Sequence, residues 1–310
     1  MTPGATLSDH TAEAAAAGRL GRFSLDGRRR YLLFVAPALA VMGAVIIFPW
    51  VFTFFMSVHD WRIGQAKTFI GLDNYLKLFN DERFRNSVSR TLVFTALSVI
   101  LPVILGVASA MVFHRKFPLR GLLRGIFIMP MMATPVAVAL VWTMMFHPQL
   151  GVLNYLLGLV GIPPSLWVFD QATVIPSLVL VETWQWTPLV MLIVLGGLAS
   201  LPTEPYESAL IDGATPWQMF RNITFPLVLP FIMVATIIRT IDAVKAFDTI
   251  FVITLGGPGT ASETINLYLY TVAFAFYDIG YASAMVVVFM VVIMALCLIL
   301  LYLRQRAQWS

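Results

Sequence analysis

Six long apolar runs separated by polar segments set the pattern of this chain. They lie near Leu32–Val58, Thr91–Phe113, Ile126–Phe146, Val174–Leu198, Leu227–Thr254 and Tyr281–Leu303. Each reaches the ~20 residues that a helix needs to cross a bilayer. The pattern therefore predicts an all-α integral membrane protein with six transmembrane helices. The fifth run is the least obvious, because charges interrupt it. Pro102, Pro130, Pro135 and Pro188 fall inside runs. Backbone groups freed by such prolines must be satisfied by neighbouring helices or a cavity, so the spans are expected to form a bundle.

Composition agrees. The chain is 59% apolar and 12% charged over 310 residues, against roughly 45–50% and 25% for a soluble domain. Its formal charge of +4 gives no argument for nucleic acid, since the lysines and arginines mark topology. The single cysteine, Cys297, lies in the last apolar run and excludes a disulfide within the chain. The N-terminus is polar through Arg28, Arg29 and Arg30, and the run that follows is longer than the roughly 7–15 residues of a signal peptide's apolar region. It reads as a retained first span.

Lysine and arginine placement sets the orientation. The tail carries Arg19, Arg22, Arg28, Arg29 and Arg30; the second loop carries Arg115, Lys116, Arg120 and Arg124; the C-terminus adds Arg304 and Arg306. With six spans these share one side, so both termini are expected in the cytoplasm. Loops 147–173 and 255–280 contain no Lys or Arg and belong outside. Loop 59–90 is the exception. It holds six basic residues together with Asp60, Asp73, Asp81 and Glu82, and reads as a small folded outer cap.

The most organised polar segment is Tyr206 to Pro226, YESALIDGATPWQMFRNITFP. Gly213 sits where a first helix should end, in the C′ position that tolerates a left-handed backbone. Thr215 then caps a second helix, with Pro216 at its first position and Gln218 reaching back in a capping box. Pro226 is expected to stop that helix before the fifth span. A loop this structured suits docking to a partner in the water phase.

Ionisable groups inside a span cost about 2.5–3.5 kcal/mol each at a helix centre. The fifth run contains Arg239, Asp242, Lys245 and Asp248, whose i, i+3 spacing allows opposite charges to pair in sequence. Such a stripe must face protein or water. It is either a structural ion-pair ladder or the polar wall of a substrate path. The fourth run offers Glu182 with Trp184, Trp186 and Thr187, and a carboxylate beside indole faces suits a sugar. Interfacial anchoring is the alternative for the tryptophans.

Between the fifth and sixth runs lie Gly256-Gly257-Pro258-Gly259, then Thr260 and Ser262. This sets tight turns and is not a phosphate loop, which needs Gly-Lys-Ser/Thr. His10, His59, His114 and His147 have no metal-ligand partners at helical spacing. Neither HExxH nor GxSxG occurs. No metal site, cofactor site or catalytic constellation is expected on this chain.

The 206–226 segment resembles the EAA loop of permeases of binding-protein-dependent ABC importers. The matching positions are Glu207, Ser208, Ala209, Gly213, Ile223, Phe225 and Pro226, with Ser208 standing for Ala and Phe225 for Leu. ITLGGPGTASETINLYLY with DIGYASAM, and GVLNYLLGLVGIP at 151–163, are similar to the outer loops of carbohydrate-type members. The resemblance runs from about Tyr31 to the C-terminus. It implies a type I importer fold: a cytoplasmic tail over 1–30, a six-helix permease domain over 31–310, and cytoplasmic coupling helices in loop 199–226. It implies two ATP-binding subunits that carry ATP and Mg, each receiving one EAA loop, and a second, nonidentical permease subunit. It also implies an extracytoplasmic solute-binding protein docking on the outer loops, including Gly256, Gly257 and Pro258, and a sugar or sugar derivative as cargo in the cytoplasmic membrane. Glu207 and Ala209 would contact the ATPase and Gly213 would set the bend. The alternative is an ion-coupled secondary transporter with Glu182 and Asp242 in a relay. Against it stand six spans and no apparent internal repeat.

Overall fold

The computed structural model describes the backbone of residues 23–308 and the side chains of residues 34–302. Most of the expected N-terminal tail and the side chains of Arg304 and Arg306 lie outside the described residues. The first helix, α1 (Phe23–Ser57), contains Pro37 and Pro49 and supplies the first apolar span, Phe34–Ser57. Described residues up to Met56 form one compact unit, and those from Ser57 onward form another.

The second unit opens with the expected folded cap. Strands β1 (His59–Asp60) and β2 (Thr68–Phe69) pair antiparallel, and helix α2 (Asp73–Asn80) follows. The Asn74 amide donates to the carbonyls of Ser57 and His59 at 3.0 and 2.9 Å, so one buried side chain ties the helix to the hairpin. Asp81 then caps α3 (Glu82–His114), its Oδ1 accepting from the N–H groups of Arg83 and Phe84. That cap explains why α3 begins nine residues before the apolar run at Thr91. Oδ2 of the same carboxylate accepts from Tyr268 and Tyr281, both at 2.6 Å. Burial pushes the Asp81 carboxyl up, but the two phenol and two backbone hydrogen bonds outweigh it and hold it below the ordinary 3.8.

The third apolar run is not one straight helix. It is α4 (Arg120–Met132) and α5 (Pro135–Met145), bent by 97° at Ala133–Thr134. Both joint residues are extended, with ψ of 145° and 142°; at Thr134 the cause is Pro135, which disfavours helical backbone in the residue before it. Five helices are long and apolar enough to span, or six if the bent pair counts as one.

Helix α6 (Val152–Leu159) is anchored by Asn154. Its amide donates to Pro148 and Ser165 carbonyls and its oxygen accepts from the Ser165 N–H and the Trp167 indole. Helix α7 (Val174–Ala199) matches the fourth run closely and forms the centre of the bundle, packed on α3 and α10. Phe94, Trp142, Phe146 and Leu178 fill one core and Val190, Val194, Val228 and Ile232 another.

The fifth span departs most from expectation. After α8 (Glu204–Ile211), the short α9 (Pro216–Met219), a π turn (Phe220–Thr224) and α10 (Phe225–Val244) follow one another without a gap, so a single 29-residue helical segment runs from Pro216 to Val244. Pro226 does not stop the second loop helix. The chain widens to i→i+5 bonding, with the Phe225 N–H donating to Phe220, and this absorbs a proline that has no N–H to give. At its other end the helix stops ten residues early: Lys245 is its C-cap, and Asp248 opens a separate helix, α11 (Asp248–Thr254). Helix α12 (Ile265–Tyr270), a second π turn (Thr271–Ala275) and the last span, α13 (Ile279–Gln308), complete the chain.

Candidate functional site

The break between α10 and α11 makes room for a cavity of about 250 Å³ lined by Glu182, Trp186, Arg239, Asp242, Lys245, Phe247, Asp248 and Thr249, among others. Five of the six residues expected on a substrate path therefore meet there. Trp184 does not. Two residues apart on a helix is roughly 200°, so it points away from Trp186. It is 46% exposed and packs edge-on against Trp142 at 5.7 Å between centroids, beside a separate apolar cavity of about 350 Å³.

The expected ladder along the fifth span is absent among the described residues. Asp242, Lys245 and Asp248 enter no ion pair there and are exposed. The helix break takes Asp248 off the i, i+3 row, and Asp242 and Lys245 line the cavity. Arg239 pairs across helices instead. Its Nη2 donates to Glu182 Oε2 at 3.1 Å and to the Ser98 carbonyl at 3.2 Å, while Glu182 Oε1 accepts from Thr249 at 3.1 Å. The guanidinium also lies 5.0 Å from the Trp186 ring. Arg239 is 0% exposed. Removing one member of such a pair leaves the other charge buried and costs about 3–5 kcal/mol. The cluster thus ties α3, α7, α10 and α11 together at the cavity wall. Sequence reasoning placed Arg239 with its own helix neighbours. The missed signal was that Glu182 is the sole charged residue between Val174 and Ala199 and so required a cation from another helix.

Apart from Pro226, the 206–226 loop is built as its residues predict. Gly213 has φ +73°. The Ala214 N–H donates to Ala209 and the Gly213 N–H to Leu210, the paired bonds of a Schellman ending. Gln218 Oε1 accepts from the Thr215 N–H at 2.7 Å and the Gln218 N–H donates back to Thr215 Oγ1 at 3.3 Å. The Tyr206 hydroxyl donates to Thr224 at 3.0 Å, fastening α8 to the root of the fifth span. Glu207 and Ser208 are exposed, Ala209 and Ile223 half-buried. Sequence reasoning missed the apolar tip: Ile211 is 88% exposed and Trp217 66%, the latter stacked on Phe220 at 5.4 Å.

The Gly256–Gly259 turn is closed by Ser262. Its N–H donates to Gly256 and its hydroxyl to the Gly257 carbonyl at 2.7 Å. The Gly257–Pro258 bond is cis. Gly256 is buried, Gly257 and Pro258 are half-buried, and Leu255 and Gly259 form the exposed rim.

Residues 102–308 match the family described as binding-protein-dependent transport system inner membrane component. The chain belongs to this family. It is a multi-pass membrane component of a transport system and not an enzyme in its own right. A probable ABC transporter permease protein, y4oQ of Sinorhizobium fredii, is 36% identical over 273 residues, 86% of this chain and 88% of that protein. The trehalose/maltose transport system permease protein MalF of Thermococcus litoralis is 37% identical over 249 residues, 80% and 83% of the two chains. In fold, the chain superposes with a TM-score of 0.79 and 23% identity on a chain of a bacterial alginate ABC transporter solved with an alginate pentasaccharide-bound periplasmic protein, covering 92% of this chain and 98% of that one.

Proposed function

We propose that this chain is a permease subunit of an ATP-driven importer that carries a sugar or sugar derivative inward across the cytoplasmic membrane. The observation that carries the proposal is one continuous helical segment. It bears an exposed apolar docking tip at Trp217 and ends beside a cavity lined by Asp242, Lys245 and Asp248. Large exposed apolar side chains on a water-phase loop mark a partner surface. Asp242 and Asp248, which enter no ion pair among the described residues, beside Trp186 and Phe247 suit hydroxyl-rich cargo. The trehalose/maltose permease relative supports the substrate class, and the alginate transporter's periplasmic protein supports a solute-binding partner.

On this reading residues 1–30 are a cytoplasmic tail and 31–310 the permease domain, with both termini inside. Loop 199–226 docks in a groove of one of two ATP-binding subunits through Glu207, Ser208, Ala209 and the Leu210, Ile211 and Trp217 side chains. Gly213, Ile223 and Pro226 shape that loop. ATP and Mg sit on those partners. A second permease subunit completes the path, and the solute-binding protein meets the turn at Gly256, Gly257 and Pro258.

Gentle affinity purification from the native membrane with mass spectrometry tests it. An ATP-binding subunit and a second six-span permease are expected in the eluate, and vesicles containing the set should take up sugar only with ATP. A chain recovered alone that moves solute without ATP, and stops when the ion gradient collapses, sinks the proposal.

A further inference from the structure

The buried pair Glu182–Arg239 has a feature that a static bridge does not explain. Among the described residues Arg239 makes its hydrogen bonds through Nη2 alone, whereas Nε and Nη1 are buried without a partner there. A guanidinium carries five donors, and each buried donor left idle is costly. An acceptor for them lies one turn further on. Asp242 is at i+3 on the same helix, and residues so spaced are neighbours on one helix face. It is an electrostatic neighbour of both Arg239 and Glu182, lines the cavity and has no ion pair of its own among the described residues.

A second observation concerns what moves Arg239. It stands near the far end of the segment Pro216–Val244, about 35 Å along the axis from the capped tip. From Phe225 onward this segment is α-helix, with Pro230 inside it. Displacement of the tip that passes the π turn arrives at Arg239, where α10 meets α7, α3 and α11.

The geometry points to Arg239 as a two-position switch: it pairs with Glu182 in the arrangement seen and changes to Asp242 when α10 is displaced against α7. The change leaves the Glu182 charge buried without its cation, so the arrangement that joins α7 to α11 through Thr249 is no longer held in place at the edge of the cavity. Arg239 is a positioning residue, acting through the helices it joins. The inference rests on the importer reading above for its link to ATP hydrolysis, but its helix mechanics belong to this chain alone.

Two single variants give opposite signs. In the complex purified with its partners and placed in vesicles, hydrolysis of ATP is measured without solute. Glu182→Gln removes the first acceptor charge and is expected to raise this basal rate by about fivefold or more, the low end of typical coupling between sites. Asp242→Asn removes the second and is expected to lower it. A purely structural pair would instead give loss of assembly in Glu182→Gln and no change in Asp242→Asn, and that result overturns the switch. If Glu182→Gln fails to assemble, Glu182→Met combined with Arg239→Met removes both charges at similar volume. With no Arg239 left to pair, adding Asp242→Asn to it should leave its basal rate unchanged, and a drop there like that in the wild-type background also overturns the switch. Amide hydrogen exchange over Asp248–Thr254 reads the same event on this chain directly, faster in Glu182→Gln and slower in Asp242→Asn. Equal exchange in all three proteins refutes the switch even if no ATPase copurifies, an outcome that refutes the importer reading separately.

Discussion

Gly213 is held at φ +73°, yet nothing lies within 4 Å of the place its Cβ would occupy. Its requirement is therefore conformational, not steric. A side chain there costs about 1–2 kcal/mol for the left-handed backbone, and asparagine is among the few residues that adopt it readily. Gly213→Val is expected to redirect α9 while leaving membrane insertion intact, so ATP hydrolysis continues and uptake falls. Gly213→Asn should keep both. The ratio of ATP hydrolysed to solute accumulated measures this, and normal uptake in the valine variant removes the glycine's role in coupling. Single residues of this kind were legible in the sequence, because a cap is a local device: Gly213, Thr215 and Gln218 each act on backbone within five residues. Trp184 was not legible. Its partner, Trp142, lies on another helix, and only helical rotation separates it from Trp186.

At the level of elements, the contact between α3 and α7 depends on a residue without a side chain. A Cβ on Gly106 would stand 2.6 Å from Val190 Cβ and 3.1 Å from the Met191 backbone nitrogen. Small residues let helix backbones approach in this way where lipid supplies no driving force for association. Gly106→Leu must push α3 off α7, and overpacking of this sort costs about 1–3 kcal/mol or more. Gly158 in α6 has open space at its Cβ, and Gly158→Leu serves as the matched control. Thermal unfolding of the detergent-solubilised chain should show a lower midpoint for the first variant only; equal midpoints would mean that the contact yields freely. The spans themselves were readable from apolar length, and α7 agrees with its run to one residue. What length could not give was the state of the helix within a run. Pro135 breaks the third run by fixing its neighbour in an extended conformation, whereas Pro226, with the same lack of an N–H, is carried through by a π turn. Both are single-residue perturbations, and apolar length does not distinguish them.

For the whole molecule, the open physical question is which way the bundle faces, and the fold constrains the answer. Loop 59–90 carries six basic residues, which on charge alone would draw it to the cytoplasm. In the structure two of them are used up on a partner from the other end of the sequence. Asp278 pairs with Arg62 at 3.3 Å and with Lys77 at 3.7 Å, and the Ile63 N–H donates to the Tyr277 carbonyl. The first cap and the segment before α13 therefore lie on one side of the membrane, whichever side that is. Loop 255–280 contains no Lys or Arg, so on the proposed reading the pair is expected outside and the 206–226 loop on the cytoplasmic side. After Cys297→Ser removes the one native thiol, single cysteines at Leu76, Leu255 and Ile211, each well exposed, report this. A membrane-impermeant maleimide applied to intact spheroplasts is expected to label Leu76→Cys and Leu255→Cys, and Ile211→Cys only after permeabilisation. Reversal of all three would overturn the orientation and with it the docking of an ATPase at Trp217. Different labelling of Leu76→Cys and Leu255→Cys would contradict the Arg62–Asp278 contact, and so the fold of the cap itself.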